Sequence, residues 1–146
     1  MTQENKKLLI KDLCSRLPYG VKFMCNKNIY TAKGLDLIVT DEGDWEYAVT
    51  TKDTAPIEID FIKPYLFPLS SMTEEQKEEL FFNYIHNDID FDDFTDYFLA
   101  GELWHDICVS IYDLPSLIDW LNKNHFDYRG LIKKGLAIDA TELNIY

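Results

Sequence analysis

Several runs within residues 21–61 alternate between apolar and polar side chains. This period of two restricts those runs to β-strands. Successive side chains of a strand point to opposite faces of a sheet, so each alternating run predicts a strand with one buried and one solvated face. Short polar turns separate the runs, which is typical of antiparallel neighbours. We therefore predict an antiparallel β-meander of about four strands, at residues 21–25, 35–39, 45–49 and 57–61.

Helical patterns flank the alternating stretch on both sides. Apolar residues spaced four apart predict an N-terminal helix over residues 4–16. A capping box that begins at Thr73 predicts a second helix over residues 74–86. Asp113 is placed to cap a further helix, and Asp127 a last short one. Between residues 86 and 113 the pattern predicts a strand-like run at 88–92, a short helix that ends near Gly101 and a strand at 107–111.

The chain changes character at Pro64. Pro64 and Pro68 bracket an aromatic linker, residues 65–67, at which the strand run is expected to end. A length of 146 residues suffices for one hydrophobic core. We predict a single α+β domain, residues 1–146, in which an N-terminal helix and the meander precede a helix-rich acidic C-terminal half.

The net charge of −12 comes entirely from residues 64–122. This block holds thirteen carboxylates and one cation, Lys77, whereas the rest of the chain balances thirteen acids against thirteen bases. Like charges repel within a compact fold, so such an excess is either tolerated on a solvated face or used against a positively charged partner or metal.

We assign the candidate interaction surface to the densest part of this block. Neighbouring carboxylates on a helix lie ~5–6 Å apart, and those on one strand face ~6.6–6.8 Å apart, a pitch of the same order as that of a phosphate backbone. Such a surface predicts binding to a basic protein partner, as a nucleic-acid mimic, and a solvated acidic face is the alternative. Direct nucleic-acid binding is disfavoured, because that binding needs cations that neutralise phosphates. The surface comprises Glu74, Glu75, Glu78, Glu79, Asp88, Asp90, Asp92, Asp93 and Asp96.

Part of the acidic block matches the start of a calcium-binding loop. Asp88, Asp90 and Asp92 match the first three ligand positions of such a loop. The sixth and twelfth positions hold Asp93 and Leu99, where the loop needs glycine and a bidentate glutamate. A looser site formed by His86, Asp88, Asp90 and Asp93 is the remaining form of this hypothesis. We predict no metal and no cofactor.

Catalytic signatures are absent from the sequence. His105 and Cys108 could bring a base near a thiol, but the surrounding pattern predicts a strand that points them to opposite faces. The sequence contains no GxSxG, GxGxxG or GxxxxGKS/T motif, so acyl-transfer and nucleotide enzymes lose their usual support. We expect no catalytic residues and a protein that is not an enzyme.

The location of the protein follows from its cysteines and its hydropathy. Cys14, Cys25 and Cys108 are odd in number and form no CxxC pair, which favours reduced core thiols over a disulfide framework. No run approaches the ~18 apolar residues of a membrane span, and the polar start of the chain lacks a signal-peptide core. We expect a cytoplasmic protein without membrane contact.

Three stretches of the sequence carry a family resemblance. They are LLIKDLCSRLPYGV (8–21), IKPYLFPLSSMTEEQ (62–76), and DWLNKNHFDYRGLI with GLAIDAT (119–132 and 135–141). Together they resemble a family of short uncharacterised proteins encoded by gut anaerobic bacteria and, often, by their phages and other mobile elements. The resemblance implies a genomic setting and no mechanism, and the acidic stretch 77–112 lies outside it.

The leading functional hypothesis is a non-enzymatic binding or accessory protein of phage or mobile-element type. It would act through the acidic surface of residues 64–122 on a basic protein partner. The alternatives are a divalent-cation-binding domain and a small enzyme of unrecognised type.

Overall fold

The computed structural model of the chain describes residues 1–85, 90, 91, 94 and 113–146. These residues fall in two compact units: unit 1 consists of Met1–Leu66 and Arg129–Tyr146, and unit 2 of Phe67–Tyr128. An N-terminal helix, antiparallel strands in two sheets and later helices confirm the predicted α+β class. That the whole chain is one domain stays a prediction.

Unit 1, which is described at every residue, contains one helix and seven strands. The helix α1 spans Gln3–Arg16 and is capped by the Thr2 hydroxyl, which accepts from the Asn5 N–H. Short 3-10 helices lie at Leu17–Tyr19 and Ile59–Phe61. The strands are β1 (Lys22–Cys25), β2 (Asn28–Thr31), β3 (Gly34–Val39), β4 (Trp45–Thr50), β5 (Ile57–Glu58), β6 (Lys63–Leu66) and β7 (Ile138–Asp139).

The strands of unit 1 pair in two sheets, so the predicted single meander is not confirmed. One sheet has the order β2-β1-β6-β7 and the other the order β3-β4-β5. The predicted strands all occur, although the fourth ends after Glu58 and continues as the 3-10 helix. β2 and β3 follow one another in sequence but belong to different sheets. Alternation specifies which faces of a strand are buried, and it does not specify the neighbouring strand.

The predicted aromatic linker at Pro64 is wrong, because this segment is the strand β6. β6 lies between β1 and β7, and Pro64 is paired with Phe23 of β1. The parallel pairing with β7 begins beyond the proline, at Tyr65 and Leu66. Proline removes one backbone donor, and a strand tolerates that loss where the ladder on one side starts after it.

The predicted helix after Asp127 is also absent. Residues 131–135 form turns instead, and Gly130 and Gly135 adopt positive φ values of 69° and 70°. A left-handed residue at the start of a segment interrupts helical hydrogen bonding, and glycine accepts this conformation without a Cβ clash. The chain then enters β7, so its end belongs to unit 1 and not to an acidic helical half.

The core of unit 1 brings α1 and the strands together with the returning segment. Leu9 and Leu13 of α1 are fully buried with Phe23 of β1 and Leu66 of β6, and Leu131 joins them from the last segment. Cys25 is buried as predicted, whereas Cys14 is exposed on α1 and is not a core thiol.

A buried ion pair lies beside this core. Asp12 and Arg16 have no solvent exposure, and the Arg16 guanidinium donates to both carboxylate oxygens of Asp12 at 2.7 and 3.0 Å. Arg129 Nη1 also donates to Asp12 Oδ1, at 3.1 Å. Two arginines therefore surround one carboxylate that water does not reach, and they connect α1 to the last segment of the chain.

Tyr146 holds the last residues against the two central strands of the first sheet, β1 and β6. Its hydroxyl donates to the Tyr65 carbonyl oxygen at 2.9 Å and accepts from the Lys22 N–H at 3.0 Å. The Lys22 ammonium lies 5.6 Å from the centroid of the Tyr146 ring and donates to the Ile145 carbonyl. Burial raises the pKa of Tyr146 to about 12.

Two helices of unit 2 are described along their whole length, and both match predictions. α2 spans Glu74–Tyr84 and carries the predicted capping box between Thr73 and Gln76. The second, α3, spans Leu114–Lys123 and is capped by Asp113, whose carboxylate accepts from the Ser116 N–H. A 3-10 helix lies at Leu69–Ser71. The core includes Leu80, Phe81, Phe94, Leu117, Leu121 and Phe126.

Three sequence predictions fall mostly on residues outside the described ones. They are the strand-like run 88–92, the short helix that ends near Gly101 and the strand 107–111. Among the described residues Phe91 and Phe94 are helical, and the Phe94 N–H donates to the Asp90 carbonyl oxygen at 2.9 Å. The predicted strand is therefore wrong at Phe91, whereas the predicted helix is present at Phe94. In the described part of the chain, no helix has the length and apolar character needed to cross a membrane.

We expect Asp12→Asn to lower the free energy of unfolding by about 3–5 kcal/mol, because it leaves Arg16 charged and buried without a counter-charge. Denaturant unfolding followed by circular dichroism measures this loss. The control is the double variant Asp12→Leu/Arg16→Met, which removes both fully buried charges and should be more stable than Asp12→Asn. A double variant less stable than the single one would contradict the ion-pair account.

We expect the titration of Tyr146 to make the protein less stable at high pH. The unfolded chain loses this phenolic proton near pH 10, and the folded protein near pH 12. The free energy of unfolding therefore decreases between those pH values, and solvent screening keeps the loss below the full effect of the shift because Tyr146 is 42% exposed. Tyr146→Phe cannot titrate, so its stability should fall less over the same pH window. Equal losses in the two proteins, measured by urea unfolding at several pH values, would refute this assignment.

Candidate functional site

The predicted acidic surface is described at five of its nine residues. Glu74, Glu75, Glu78 and Glu79 are exposed on α2, and Asp90 is exposed beyond that helix. Its remaining members, Asp88, Asp92, Asp93 and Asp96, lie outside the described residues.

The division into two units separates the charges of the chain. Residues 67–128, which make up unit 2, contain fourteen carboxylates and two cations, Lys77 and Lys123. Unit 1 contains twelve acids and twelve bases. The whole net charge of −12 thus belongs to unit 2.

The four glutamates of α2 have different partners. Lys77 Nζ lies 2.6 Å from Glu74 Oε1, an exposed ion pair one turn apart. Glu79 Oε1 accepts from the indole N–H of Trp120 at 3.0 Å, and this indole stacks on Phe126 at 5.7 Å between centroids. Glu79 is therefore part of the packing between α2 and α3 as well as of the acidic surface.

Glu75 and Glu78 form the part of the helix surface that has no ion pair among the described residues. They are three residues apart, so they lie ~5–6 Å from one another on one face of α2. The backbone N–H of Glu75, followed by the Thr73 hydroxyl, lowers the pKa of the Glu75 carboxyl. One turn beyond Glu78, Phe82 exposes 71% of its surface. This face presents two carboxylates and one aromatic ring to solvent.

A second acidic cluster lies in unit 1, where the sequence analysis did not predict one. It lines an open cleft of about 330 Å³ and includes Asp41, Glu42, Asp44, Glu46, Glu58 and Asp60. Lys6 Nζ lies 2.8 Å from both Glu46 and Asp60, and the two carboxylates raise the pKa of Lys6, the Asp60 hydrogen bond most strongly. The balanced charge of this part of the sequence concealed the cluster. The sequence feature that could have indicated this cleft is the group of acids at residues 41–46.

The metal hypothesis gains no support from the described residues. Within residues 1–85, 90, 91, 94 and 113–146, no three His, Cys, Asp or Glu side chains are grouped so as to hold a metal ion. Of the looser site only Asp90 is described, since His86, Asp88 and Asp93 fall outside. His105 and Cys108 of the thiol hypothesis fall outside as well.

Comparison of the chain with protein-family models, with curated proteins and with solved structures gives no match. The chemistry of the surfaces is therefore the basis for assigning a function.

We expect Glu79→Ala to destabilise unit 2 and Glu78→Ala to have little effect. Glu79→Ala removes the acceptor of the Trp120 N–H, which should cost about 1–2 kcal/mol of unfolding free energy. Glu78→Ala is the matched control, because it makes the same change in the same helix at an exposed position and should stay within about 0.5 kcal/mol. Denaturant unfolding followed by tryptophan fluorescence compares them. Equal losses would show that the Trp120 contact contributes nothing specific.

Proposed function

We propose that this protein is a non-enzymatic binding protein that acts through the acidic surface of residues 64–122 on a basic protein partner. The observation that carries the proposal is the confinement of the entire net charge to unit 2, together with the exposed carboxylates of Glu75 and Glu78, which have no ion pair among the described residues. A local excess of negative charge produces an electrostatic field that attracts cations and steers a basic protein toward the surface.

A nucleic-acid mimic is the specific form of this proposal. Glu75 and Glu78 of α2, which have no ion pair among the described residues, have a spacing of the order of neighbouring phosphates. The exposed ring of Phe82 beside them supplies an apolar contact that a phosphate backbone lacks. A basic groove that normally binds a nucleic acid would meet both carboxylates and an aromatic anchor.

The proposed setting is a phage or another mobile element of gut anaerobic bacteria. This part rests on the sequence resemblance of residues 8–21, 62–76, 119–132 and 135–141. Accessory proteins from such elements would meet the nucleic-acid-handling proteins of their hosts in the cytoplasm, where basic grooves are available as partners.

We expect a basic host protein to bind at low salt and to dissociate at high salt. Immobilised protein is incubated with lysate of a gut anaerobe, and the retained protein is identified by mass spectrometry and purified for titration. Glu75→Gln/Glu78→Gln should weaken its binding roughly 2- to 30-fold at low ionic strength, because two exposed charge pairs are lost. The difference should shrink near 1 M salt, where the Debye length is about 3 Å.

The matched control is Glu4→Gln/Glu142→Gln, which removes the same number of exposed charges from unit 1. This control should bind like the unmodified protein. Failure to retain any basic protein at low salt, or an equal effect of both double variants, would count against the proposal.

A further inference from the structure

An exposed apolar face occupies the outer end of the β3–β4 hairpin. The antiparallel register pairs Leu37 with Tyr47 and Val39 with Trp45. Because directly opposed residues point to the same side of a sheet, all four side chains share one face. They expose 49%, 42%, 55% and 70% of their surfaces, respectively.

This face continues a row that is buried at its other end. Leu35 is paired with Val49, and these two pack into the core of unit 1. The alternation predicts burial along the full length of both strands, but the core covers only the inner pair. Large apolar side chains that cluster in solvent mark interaction sites more often than isolated ones do, and tryptophan and tyrosine are frequent anchors of interfaces.

The face is better suited to docking than the edge of the same sheet. β3 is an edge strand, whose backbone could pair with another chain. The N–H of Leu37, however, donates to the Asp36 carboxylate at 2.8 Å. That donor is occupied within the strand, so an added strand would have to displace the carboxylate. The side chains therefore offer the more accessible contact.

The turn that closes the hairpin gives the face an anionic end. Asp41, Glu42 and Asp44 lie between Val39 and Trp45, and Gly43 adopts φ 89° in this turn. No ion pair involves the three carboxylates among the described residues. They also line the acidic cleft on the other side of the hairpin. The tip of the hairpin thus carries three carboxylates without an ion pair among the described residues, and a ligand that extends along the apolar face past Val39 and Trp45 reaches this tip.

We propose that this face docks a short cationic amphipathic segment of a protein partner. Along a strand the apolar side chains recur every ~6.6–6.8 Å, and the two strands are ~4.7–4.9 Å apart. Apolar residues three or four apart on a helix are ~5–6 Å apart, so one stripe of a short helix matches this patch. Lysine or arginine beside the stripe would meet the turn carboxylates, and a cation can also lie over the exposed indole of Trp45.

The charge complementarity argues against the other occupants. Anionic lipid and nucleic acid would be repelled by the turn carboxylates. A second copy of this chain would bring an identical acidic turn and a charge of −12 to the assembly. The proposal is separate from the α2 surface, because the hairpin belongs to unit 1.

The probe for this proposal is a synthetic Leu/Lys peptide of about 14 residues, roughly four helical turns. Its leucines are spaced for one helical stripe, and a Leu/Glu peptide of the same pattern is the negative control. Both are titrated into the full chain carrying Glu75→Gln/Glu78→Gln, so that binding to α2 is suppressed. We expect the Leu/Lys peptide to shift the backbone amide resonances of residues 37–47 and the Leu/Glu peptide to leave them unchanged.

Val39→Ser/Trp45→Ser should lower the affinity for the Leu/Lys peptide roughly tenfold or more, since a tryptophan anchor is lost. Phe61→Ser is the matched control, because Phe61 exposes 63% of its surface and belongs to the 3-10 helix Ile59–Phe61, outside the hairpin and outside α2. Asp41→Asn/Glu42→Gln/Asp44→Asn should weaken binding at low salt and lose its effect near 1 M salt. This charge variant keeps the apolar face and provides a second test if the serine variant proves unstable.

Several results would overturn the proposal. They are the absence of resonance shifts at residues 37–47, an equal loss of binding in Phe61→Ser, or equal binding of the Leu/Glu peptide. Sedimentation that shows a dimer abolished by Trp45→Ser would assign the face to a second copy. Stronger binding to vesicles of anionic lipid than to the peptide would assign it to a membrane. None of these results bears on whether the α2 glutamates bind a host protein, so the two proposals fail separately.

Discussion

A carboxylate without access to water, Asp12, is the constraint on which unit 1 depends. Arg16 binds it from the next turn of α1, and Arg129 binds it from a segment 117 residues later in the chain. A buried charge is costly to desolvate, and only a well-placed counter-charge with hydrogen bonds offsets that cost. The fold of unit 1 is thus complete only when the chain returns from unit 2 at Arg129, with Leu131 and Leu136 beside it in the core.

Local elements of this fold could be predicted from the sequence, and their partners could not. The capping box at Thr73 and the cap at Asp113 depend on residues three apart, so short patterns suffice to identify α2 and α3. β6 was missed because a proline usually ends a strand, whereas here the ladder to β7 begins after Pro64. The pairing of β6 with β7 joins residues more than seventy positions apart, a distance that periodicity does not report.

The same limit applies to the candidate surfaces. The charge of α2 was visible as a run of glutamates, but the contact between Glu79 and Trp120 joins two helices 41 residues apart. The exposed face of the hairpin was predicted to be buried, because alternation cannot say how far a core extends along a strand. The acidic cleft was concealed for a different reason, since its carboxylates are balanced in number by lysines and arginines elsewhere in unit 1.

Because the net charge is confined to one unit, salt should affect ligand binding differently at the two proposed surfaces. Unit 2 holds fourteen carboxylates, and of its two lysines Lys77 is already paired with Glu74. Repulsion between these carboxylates opposes compaction of the unit. Its aromatic core offsets that repulsion, and the ring centroid of Phe81 lies within 5.3 Å of those of Phe91 and Phe94. A cationic partner that neutralises the surface therefore also stabilises the unit it binds. Unit 1 carries no net charge, so a ligand on its hairpin would be held chiefly by apolar contact, and salt would affect that contact less.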